Sequence, residues 1–404
     1  MNINEKNFLK VVSSVVQSTE LNLEEPIDYL KILKVSESQK LFPLVFEKLC
    51  DKKSFINSPE YLNYSKAVMC SVVFQAQSTS KFLYLYDILQ KNDLKPIVVK
   101  GIVCRNLYGK YEDHRPSGDE DIIVKKEDFF KACKILEDNG YEPSHKVSLA
   151  ELENLQALSF LDSSGSHIEV HHNPIGRENK LKNQMDSYFH DIFDDSIKME
   201  INGTNIYTMD YSKHFIFLIF HAFKHFIGSG FGVRQVLDIL MYERAYEDKI
   251  DWRYIKTALK DTGTEKFFSD VIELGNRYMG FNLTQYGPVC CPDELLGDLL
   301  SNGIFGNDTP EKLMAGSITS VAVDNTESTG KSSNLLKTIF PSQEYMKKRN
   351  PELNERPWLL PLRVVQRWFT FIEKYKKSNG TVASQSVAIG NRRIELLKKY
   401  GIVK

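Results

Sequence analysis

Two aspartates, Asp119 and Asp121, stand two residues apart at the start of a short apolar run that ends at Val124. The run predicts a β-strand, and side chains alternate along a strand, so both carboxylates are expected on one face. Two acids this close repel each other unless a cation lies between them. Mg²⁺ commonly binds through one or two carboxylates together with substrate phosphates. The pair therefore points to metal-assisted phosphoryl chemistry.

A third acid, Glu169, lies in the middle of a predicted strand that also carries His167 and His171. Alternation places these three polar side chains on one face, where they need partners, and a metal site would provide them. Nucleotidyl transfer of the polymerase type uses divalent ions bridged by two carboxylates, with a third carboxylate near the attacking oxygen. We therefore predict Asp119, Asp121 and Glu169 as catalytic residues and as ligands of Mg²⁺, bound as two ions.

The turn Lys100-Gly101 follows the strand-like run 96–99 and precedes a predicted helix, so it is a candidate phosphate-binding element. The N-terminus of a helix presents backbone N–H groups to an anion, and glycine permits close approach. Lys100 adds a positive charge. Arg115 and Ser117, just before the acidic pair, could hold phosphate oxygens as well. These four residues are predicted to bind the nucleotide.

The elements that must position these residues are predicted from hydrophobic periodicity and turn composition. Turn-forming residues near 162–166 and at Asn202-Gly203 predict two hairpins, and Asp210 is a plausible N-cap of a buried helix. The pattern favours an α+β fold with a mixed sheet and helical regions on both sides. The predicted regions are an N-terminal helical region at 1–94, an α+β core at 95–209, a helical domain at 210–300, a loop or linker at 301–339 and a C-terminal helical segment at 340–404.

Composition limits the partners. The chain has 52 basic and 53 acidic residues, so no overall field favours nucleic acid, which stays possible as a partner without being indicated. Six cysteines without a CxxC pair are typical of a reduced, cytosolic protein. No signal peptide is evident, and the most apolar window, 215–220, is too short to span a bilayer. We therefore predict a cytoplasmic protein without a membrane partner.

Several motifs follow one another along the chain in an order that resembles a known family. They are Lys100-Gly101, Leu107-Tyr108, Arg115, Gly118-Asp119-Glu120-Asp121, Gly140-Tyr141, Glu169-Val170-His171, His221 with His225, Arg234 with Asp238, Phe340-Pro341-Ser342 with Met346, and Pro357-Trp358-Leu359-Leu360-Pro361. The order resembles the uncharacterised nucleotidyltransferase family of the polymerase-β-like nucleotidyltransferase superfamily, over about residues 80 to 370. The resemblance implies a nucleotidyltransferase-type core with Asp119, Asp121 and Glu169 as metal carboxylates. It also places the helix of Arg234 against the core, where Arg234 is predicted to reach the nucleotide.

Two further pairs of residues have a simple structural interpretation as well as a chemical one. His221 and His225 are four residues apart, a spacing that can chelate zinc, but no third ligand is obvious and cleft histidines with hydrogen-bond partners are favoured. Arg234 and Asp238 have the same spacing, so an ion pair within one helix is the simple alternative. For His171, a structural or supporting role is an equal alternative to a place in the active site.

The combined prediction is a Mg²⁺-dependent nucleotidyltransferase that moves a nucleoside monophosphate from an NTP to an unidentified hydroxyl- or phosphate-bearing acceptor. The NTP and this acceptor are the predicted partners, and the sequence does not indicate an oligomeric state. Two alternatives stay open. One is a catalytically inactive nucleotide- or partner-binding protein on the same fold. The other is a toxin-like transferase that modifies tRNA or protein.

Overall fold

A seven-stranded mixed β-sheet lies at the centre of the computed structural model. The structure describes residues 1–145, 155–176, 180–228, 230–302 and 382–403, together with short pieces between 315 and 366. Every strand in these described residues falls between 97 and 208, inside the predicted α+β core. Helices precede and follow the sheet along the chain. The predicted α+β fold class, with a mixed sheet and flanking helical regions, is therefore confirmed.

The strands are short, and the hairpins between them follow the turn signals in the sequence. In chain order they are β1 (Ile97–Val99), β2 (Glu120–Ile123), β3 (Tyr141–Pro143), β4 (Ala157–Asp162), β5 (His167–His171), β6 (Ile197–Ile201) and β7 (Thr204–Thr208). Their order in the sheet is β3-β4-β5-β2-β1-β7-β6. β2 runs parallel to β5 and β1 to β7, and the other neighbours are antiparallel. Both predicted hairpins, β4–β5 and β6–β7, are confirmed.

Helices cover the sheet and form most of the rest of the described chain. They are α1 (Ile3–Val16), α2 (Tyr29–Ser38), α3 (Phe42–Leu49), α4 (Lys53–Ile56), α5 (Pro59–Lys91), α6 (Gly101–Arg105), α7 (Phe129–Asp138), α8 (Lys180–Asp186), α9 (Tyr211–Ile227), α10 (Val233–Tyr246), α11 (Trp252–Thr262), α12 (Glu265–Tyr278), α13 (Pro292–Asn302) and α14 (Val382–Tyr400). Asp210 accepts the backbone N–H groups of Ser212 and Lys213 at 2.9 and 3.1 Å, which confirms it as the N-cap of α9. α9 is apolar nearly all round and almost wholly buried.

Alternation along the central strands divides the side chains between two apolar layers. Val98 and Ile122 belong to the layer that contains α5 and α7. Val99 and Ile123 belong to the layer that contains α9 and α10. Asp121 is paired with Val99 in the antiparallel register of β1 and β2, so its carboxylate also faces the helices α9 and α10. The acidic residues are therefore directed between the sheet and the helical domain.

Both ends of the described chain pack on the helical domain. Gln39, between α2 and α3, donates to the carbonyl of Leu299 in α13 at 3.0 Å and accepts the N–H of Val233 in α10 at 2.9 Å. α14 packs on α13 through a buried ion pair, in which Arg393 Nε lies 3.2 Å from Asp298 Oδ2. The N-terminal region is therefore in direct contact with the start of α10.

The boundaries of the five predicted regions stay a prediction. Most of the predicted linker at 301–339 lies outside the described residues, and its described pieces between 315 and 323 are helical and largely buried. The predicted C-terminal segment at 340–404 contains α14, and much of the remainder lies outside the described residues as well. Among the helices that are described, none combines the length and apolar composition that crossing a bilayer requires.

Candidate active site

Asp121 and Glu169 lie side by side on neighbouring strands. The parallel register of β2 and β5 sets Asp121 opposite Glu169, so both side chains project from the same face of the sheet. His171, two residues after Glu169, shares this face. One ligand atom from each of the three residues lies within 4.8 Å of the others. The structure thus brings together two of the three predicted metal ligands and adds a histidine to them.

His171 bridges the two carboxylates. Its Nε2 atom lies 3.0 Å from Oδ1 of Asp121 and 3.2 Å from Oε2 of Glu169. Burial lowers the pKa of His171, but the two carboxylates outweigh this effect and hold it above its ordinary value. Burial likewise acts to raise the pKa of Glu169, and the hydrogen bond from His171 brings it below the ordinary value. The favoured state is an imidazolium that donates to ionised acids.

Lys100 brings a second cation to Asp121. Its Nζ atom lies 2.8 Å from Oδ2 of Asp121 and 3.0 Å from Nε2 of His221. Burial would lower the pKa of Lys100, but the charges of Asp121 and Asp119 raise it above the ordinary value. Burial also acts to raise the pKa of Asp121, yet Lys100 and His171 hold it well below its usual range. Asp121 is therefore ionised at neutral pH.

The backbone of Lys100 is held in an unusual conformation. Its φ of 54° is rare for a residue with a side chain and costs on the order of 1–3 kcal/mol unless the surroundings enforce it. The Lys100 N–H donates to Nε2 of the buried His214 at 3.2 Å, and Nδ1 of His214 lies 3.1 Å from the Thr208 hydroxyl. Burial and the charge of Lys100 lower the pKa of His214 to about 3, so this imidazole stays neutral and can accept. His214 therefore fixes the turn that aims Lys100 at Asp121.

Asp119 lies in the loop before β2, outside the cluster of Asp121, Glu169 and His171 but on the wall of the same cavity. The charge of Asp121, followed by burial, raises the pKa of Asp119 to about 6. The direction of this shift reflects the repulsion between the neighbouring carboxylates of Asp119 and Asp121, in a site with little water. A divalent cation between the two carboxylates would relieve this repulsion.

Gly101 has a role beyond the predicted contact with phosphate. A Cβ atom on Gly101 would lie 2.0 Å from Oε2 of Glu120, so any side chain there would clash. Glu120, on the opposite face from Asp121, accepts the N–H of Ile102 at 2.8 Å and forms a buried ion pair with Arg105. An N–H at the start of α6 is therefore already bound within the protein. Contact between Gly101 and a nucleotide stays a prediction.

Arg115 and Ser117 belong to a buried network around Asp238. Nε of Arg115 donates to Oδ1 of Asp238 at 3.1 Å, Nη2 forms an ion pair with Oδ2, and Nη1 donates to Ser117 Oγ at 2.8 Å. Tyr108 also donates to Asp238, at 3.0 Å. In the described residues, Asp238 is thus bonded to other elements instead of to Arg234 within α10. A phosphate contact by Arg115 or Ser117 stays a prediction.

Arg234 extends from the first turn of α10 to the loop that precedes Asp119. Its Nη1 donates to the carbonyl of Pro116 at 2.5 Å, and its buried Nε has no hydrogen-bond partner among the described residues. Burial, and after it the charge of Arg115, lowers the pKa of Arg234 to about 10, so the guanidinium is charged at neutral pH. A desolvated guanidinium with an unsatisfied N–H is suited to bind an anion.

One cavity of about 700 Å³ connects these groups, and its volume is typical of sites for small molecules. All eight residues predicted as catalytic or nucleotide-binding line it. Its walls come from the loop after α2, from the sheet and from the helices α9 and α10. The charged side chains on the walls are Lys40, Lys100, Arg115, Lys224, Arg234, Asp119, Asp121, Glu169 and Asp238.

His221 and His225 face this cavity from α9, with their Nε2 atoms 3.0 Å apart. Burial and the charge of Lys100 hold the pKa of His221 well below its ordinary value, so His221 is neutral and accepts from Lys100. Burial and the charge of Lys224 lower the pKa of His225 in the same way. Within the described part of the chain, potential metal ligands cluster at Asp121, Glu169 and His171, and that cluster does not include this pair.

The donor set fits a divalent cation. The carboxylate oxygens of Asp121 and Glu169 are ligands that Mg²⁺ prefers. A metal would bind Nε2 of His171 only in place of the proton that this nitrogen donates to the two acids. The raised pKa of Asp119 supports the same conclusion, because its first cause is the repulsion between Asp119 and Asp121. The cluster is thus a possible acidic metal-binding site.

A mixed sheet with paired carboxylates on the face that lines a charged cavity is consistent with a nucleotidyltransferase-type fold. The chain belongs to the uncharacterised nucleotidyltransferase family, whose model matches residues 25–280, more than half of the sequence. The predicted family is therefore confirmed, and the protein is a nucleotidyl-transferring enzyme with an NTP as substrate. No curated protein and no solved structure matches the chain.

The family match differs in extent from the predicted resemblance. It begins at residue 25, so it includes helices α2 and α3, which lie upstream of the predicted start near residue 80. It ends at residue 280 and does not include the predicted motifs at 340–342 and 357–361. Helices α2 to α5 therefore lie within the residues that match the family, whereas α1 precedes them.

For His171, the sequence leaves both a place in the active site and a supporting role open, and the structure puts it in contact with Asp121 and Glu169. Two residues at the site were not predicted to belong to it. His214 and Lys40 carried no sequence signal. His214 acts through the turn at Lys100, and Lys40 reaches the cavity from a loop far upstream in the chain.

Proposed function

We propose that the protein uses Mg²⁺ to transfer a nucleoside monophosphate from an NTP to a hydroxyl or phosphate group of an acceptor. The observation that supports this proposal best is the in-register pair Asp121 and Glu169, which lies with Lys100 on the wall of a cavity of about 700 Å³. Two carboxylates on adjacent strands beside a cationic cavity suit the two-ion chemistry of polymerase-type enzymes.

The residues that would hold the two ions are Asp119, Asp121 and Glu169. Bound Mg²⁺ supplies positive charge to the reacting phosphate and lowers the pKa of the attacking oxygen. The protein contributes carboxylates that are already ionised, since Lys100 and His171 hold the pKa of Asp121 well below its usual range. Asp121 is only 2% exposed, so its carboxylate is largely shielded from bulk water.

Lys100 is placed to bind the triphosphate. Its ammonium lies between Asp121 and His221, at 2.8 and 3.0 Å. It can turn from the carboxylate to a phosphate oxygen while His221 continues to accept from it. Gly101, Arg115, Ser117 and Arg234 line the same cavity and complete the proposed nucleotide site.

The transfer requires no reactant other than the NTP and the acceptor. The acceptor oxygen forms a bond to the α-phosphorus, and the bond from the α-phosphorus to the bridging oxygen of pyrophosphate breaks. Pyrophosphate leaves with that electron pair. If the acceptor is a hydroxyl, its proton passes to Glu169, whose carboxylate is ionised and within 3.2 Å of His171.

A cytoplasmic location without a membrane partner is also part of the proposal. It is supported by six cysteines that are all free thiols and by a net charge of −1.

Pyrophosphate release tests the proposal directly. The protein is incubated with Mg²⁺ and each α-³²P-labelled NTP, with its own chain, tRNA and small hydroxyl- or phosphate-bearing molecules as acceptors. We expect Asp121→Asn to reduce transfer by on the order of 10³-fold, while Asp138→Asn, at an exposed position on α7, behaves as wild type.

The outcomes separate the alternatives. Wild-type protein that binds NTP but releases no pyrophosphate with any acceptor would favour the catalytically inactive nucleotide-binding protein. Label transferred to tRNA or to protein would favour the toxin-like transferase. Equal transfer by wild type and Asp121→Asn would overturn the assignment of the carboxylates.

A further inference from the structure

Lys40 occupies a position where glycine is the usual residue. It follows the last turn of α2, where its N–H donates to the carbonyl of Glu37 at 3.0 Å and the N–H of Leu41 donates to that of Ser36 at 2.9 Å. Its φ is 54°, in the left-handed region. A side chain in this conformation is unfavourable, so the backbone alone does not account for a lysine.

The loop that carries Lys40 is fixed against the start of α10. Gln39 is fully buried, and its side chain accepts the N–H of Val233 at 2.9 Å and donates to the carbonyl of Leu299 at 3.0 Å. Lys40 directly follows Gln39 in the chain, and Arg234 directly follows Val233. Lys40 and Arg234 both line the cavity, so the N-terminal region and the helical domain each present one cation from adjacent segments.

Neither cation forms an ion pair among the described residues. No hydrogen bond or ion pair among the described residues engages the Lys40 ammonium. Arg234 uses Nη1 for the carbonyl of Pro116, and its buried Nε has no partner among the described residues. By contrast, Arg115 on the same cavity wall is bound by Asp238.

We infer that Lys40 and Arg234 together form an anion subsite of the cavity that binds a phosphate group of the substrate. A guanidinium presents several N–H donors to phosphate oxygens and an ammonium adds a point charge, which together match a multiply charged phosphate. The inference rests on the proposed function. It extends that function by assigning phosphate recognition to the N-terminal helical region.

Two sources of phosphate share this chemistry. One is the β- and γ-phosphates of the NTP, which leave as pyrophosphate. The other is a phosphate carried by the acceptor. Binding measurements on the full chain, made by calorimetry without turnover, distinguish the two sources.

The decisive variant is Lys40→Gly, because glycine suits the left-handed backbone and removes only the ammonium. Asp93→Gly is the matched control. Asp93 follows α5 with a φ of 60°, and it has the same pair of backbone bonds, from Asp93 N–H to Gln90 and from Leu94 N–H to Leu89. Both glycine variants should therefore keep or slightly raise the melting temperature.

We expect Lys40→Gly to weaken the binding of inorganic pyrophosphate and of MgATP by about tenfold, if the subsite holds the terminal phosphates. Lys40→Gly should bind AMP as tightly as wild type does. Asp93→Gly should bind pyrophosphate, MgATP and AMP as wild type does. If the subsite holds an acceptor phosphate, MgATP binding stays as in wild type and the binding of inorganic phosphate to the ATP-loaded protein weakens about tenfold. Arg234→Gln should reproduce whichever loss is found.

The inference is overturned if Lys40→Gly binds pyrophosphate, phosphate and MgATP as wild type does, or if wild type binds none of them. Pyrophosphate and phosphate binding require no catalysis, so the subsite can be found in a protein that transfers nothing. Conversely, a Lys40→Gly variant that transfers the nucleotide and binds all three ligands as wild type does would rule out the subsite. That result would not affect the proposed function.

Discussion

The two faces of strand β2 carry neighbouring carboxylates with different surroundings. Glu120 points to the layer of α5 and α7, where it caps Ile102 and pairs with Arg105. Asp121 points to the cavity, where Lys100 and His171 contact it and where Asp119 and Glu169 also line the wall. The carboxylate of Glu120 is enclosed by its partners within the protein, whereas that of Asp121 lies on a cavity wall beside two further acids. Residue type alone does not distinguish these two acids, whereas their surroundings do.

Glu120→Gln should give the largest change in stability. Arg105 is 2% exposed and would lose its carboxylate partner, and leaving a buried charge unpaired costs roughly 3–5 kcal/mol. Urea unfolding followed by circular dichroism measures the loss. A loss of unfolding free energy below about 1 kcal/mol would show that Arg105 finds another partner. The two faces of β2 would then not differ in the way described.

His171→Gln should reduce transfer by about 10- to 100-fold, because it removes the group that orients Asp121 and Glu169. The fall should appear in kcat more than in KM for the NTP, since His171 bonds the carboxylates. His190→Gln, at an exposed histidine, is the control and should transfer as wild type does. Unchanged kcat in His171→Gln would show that the carboxylates keep their positions without the imidazole.

Mg²⁺ affinity should fall at acid pH because Asp119 becomes protonated below its pKa of about 6. We expect about a tenfold loss per pH unit below 6 and little change above 7, measured by calorimetry, and a flat profile in Asp119→Asn. The stability of the metal-free protein depends on pH in the opposite direction to the Mg²⁺ affinity. The folded protein holds this proton more tightly than the unfolded chain, whose pKa is near 3.8, so metal-free stability from this group is lost as pH rises through 6. A flat affinity profile in wild type would remove Asp119 from the metal site.

Asp121→Asn should lower stability in metal-free buffer less than Glu120→Gln does, but measurably at pH 7, because Lys100 and His171 stabilise the ionised carboxylate. The substitution leaves two acids, Asp119 and Glu169, with the two cations, and asparagine can still hydrogen-bond Lys100 and His171. Unfolding in EDTA measures it beside Glu120→Gln. A loss equal to that of Glu120→Gln would mean that Asp121 is also a structural partner.

Local signals in the sequence predicted much of this fold. The positive φ values of Asn202 and Gly203, 49° and 78°, are those that a two-residue hairpin needs, and asparagine and glycine adopt them readily. Alternation placed Glu169 on one face with His171, and the parallel register then set it opposite Asp121. Such signals act over a few residues, so they can be read without knowledge of the tertiary structure.

Contacts that join distant segments could not be predicted in this way. Asp238 bonds Arg115 across 123 residues, although its spacing from Arg234 suggested a pair within one helix. Tertiary packing overrides the local interaction here, because Arg115 offers a bidentate, buried bond. Lys40 is a similar case, since its place on the cavity wall depends on a hydrogen bond between Gln39 and Val233.

The position of Lys100 has a consequence for the state of the site before any ligand binds. Its ammonium lies 2.8 Å from Asp121 and acts as a built-in counter-ion for the most buried of the three acids. Asp121 therefore has a counter-ion before any metal or nucleotide binds. Metal binding at Asp121, as proposed, would exchange one cation for another, and the displaced cation would be a side chain that stays attached beside the substrate.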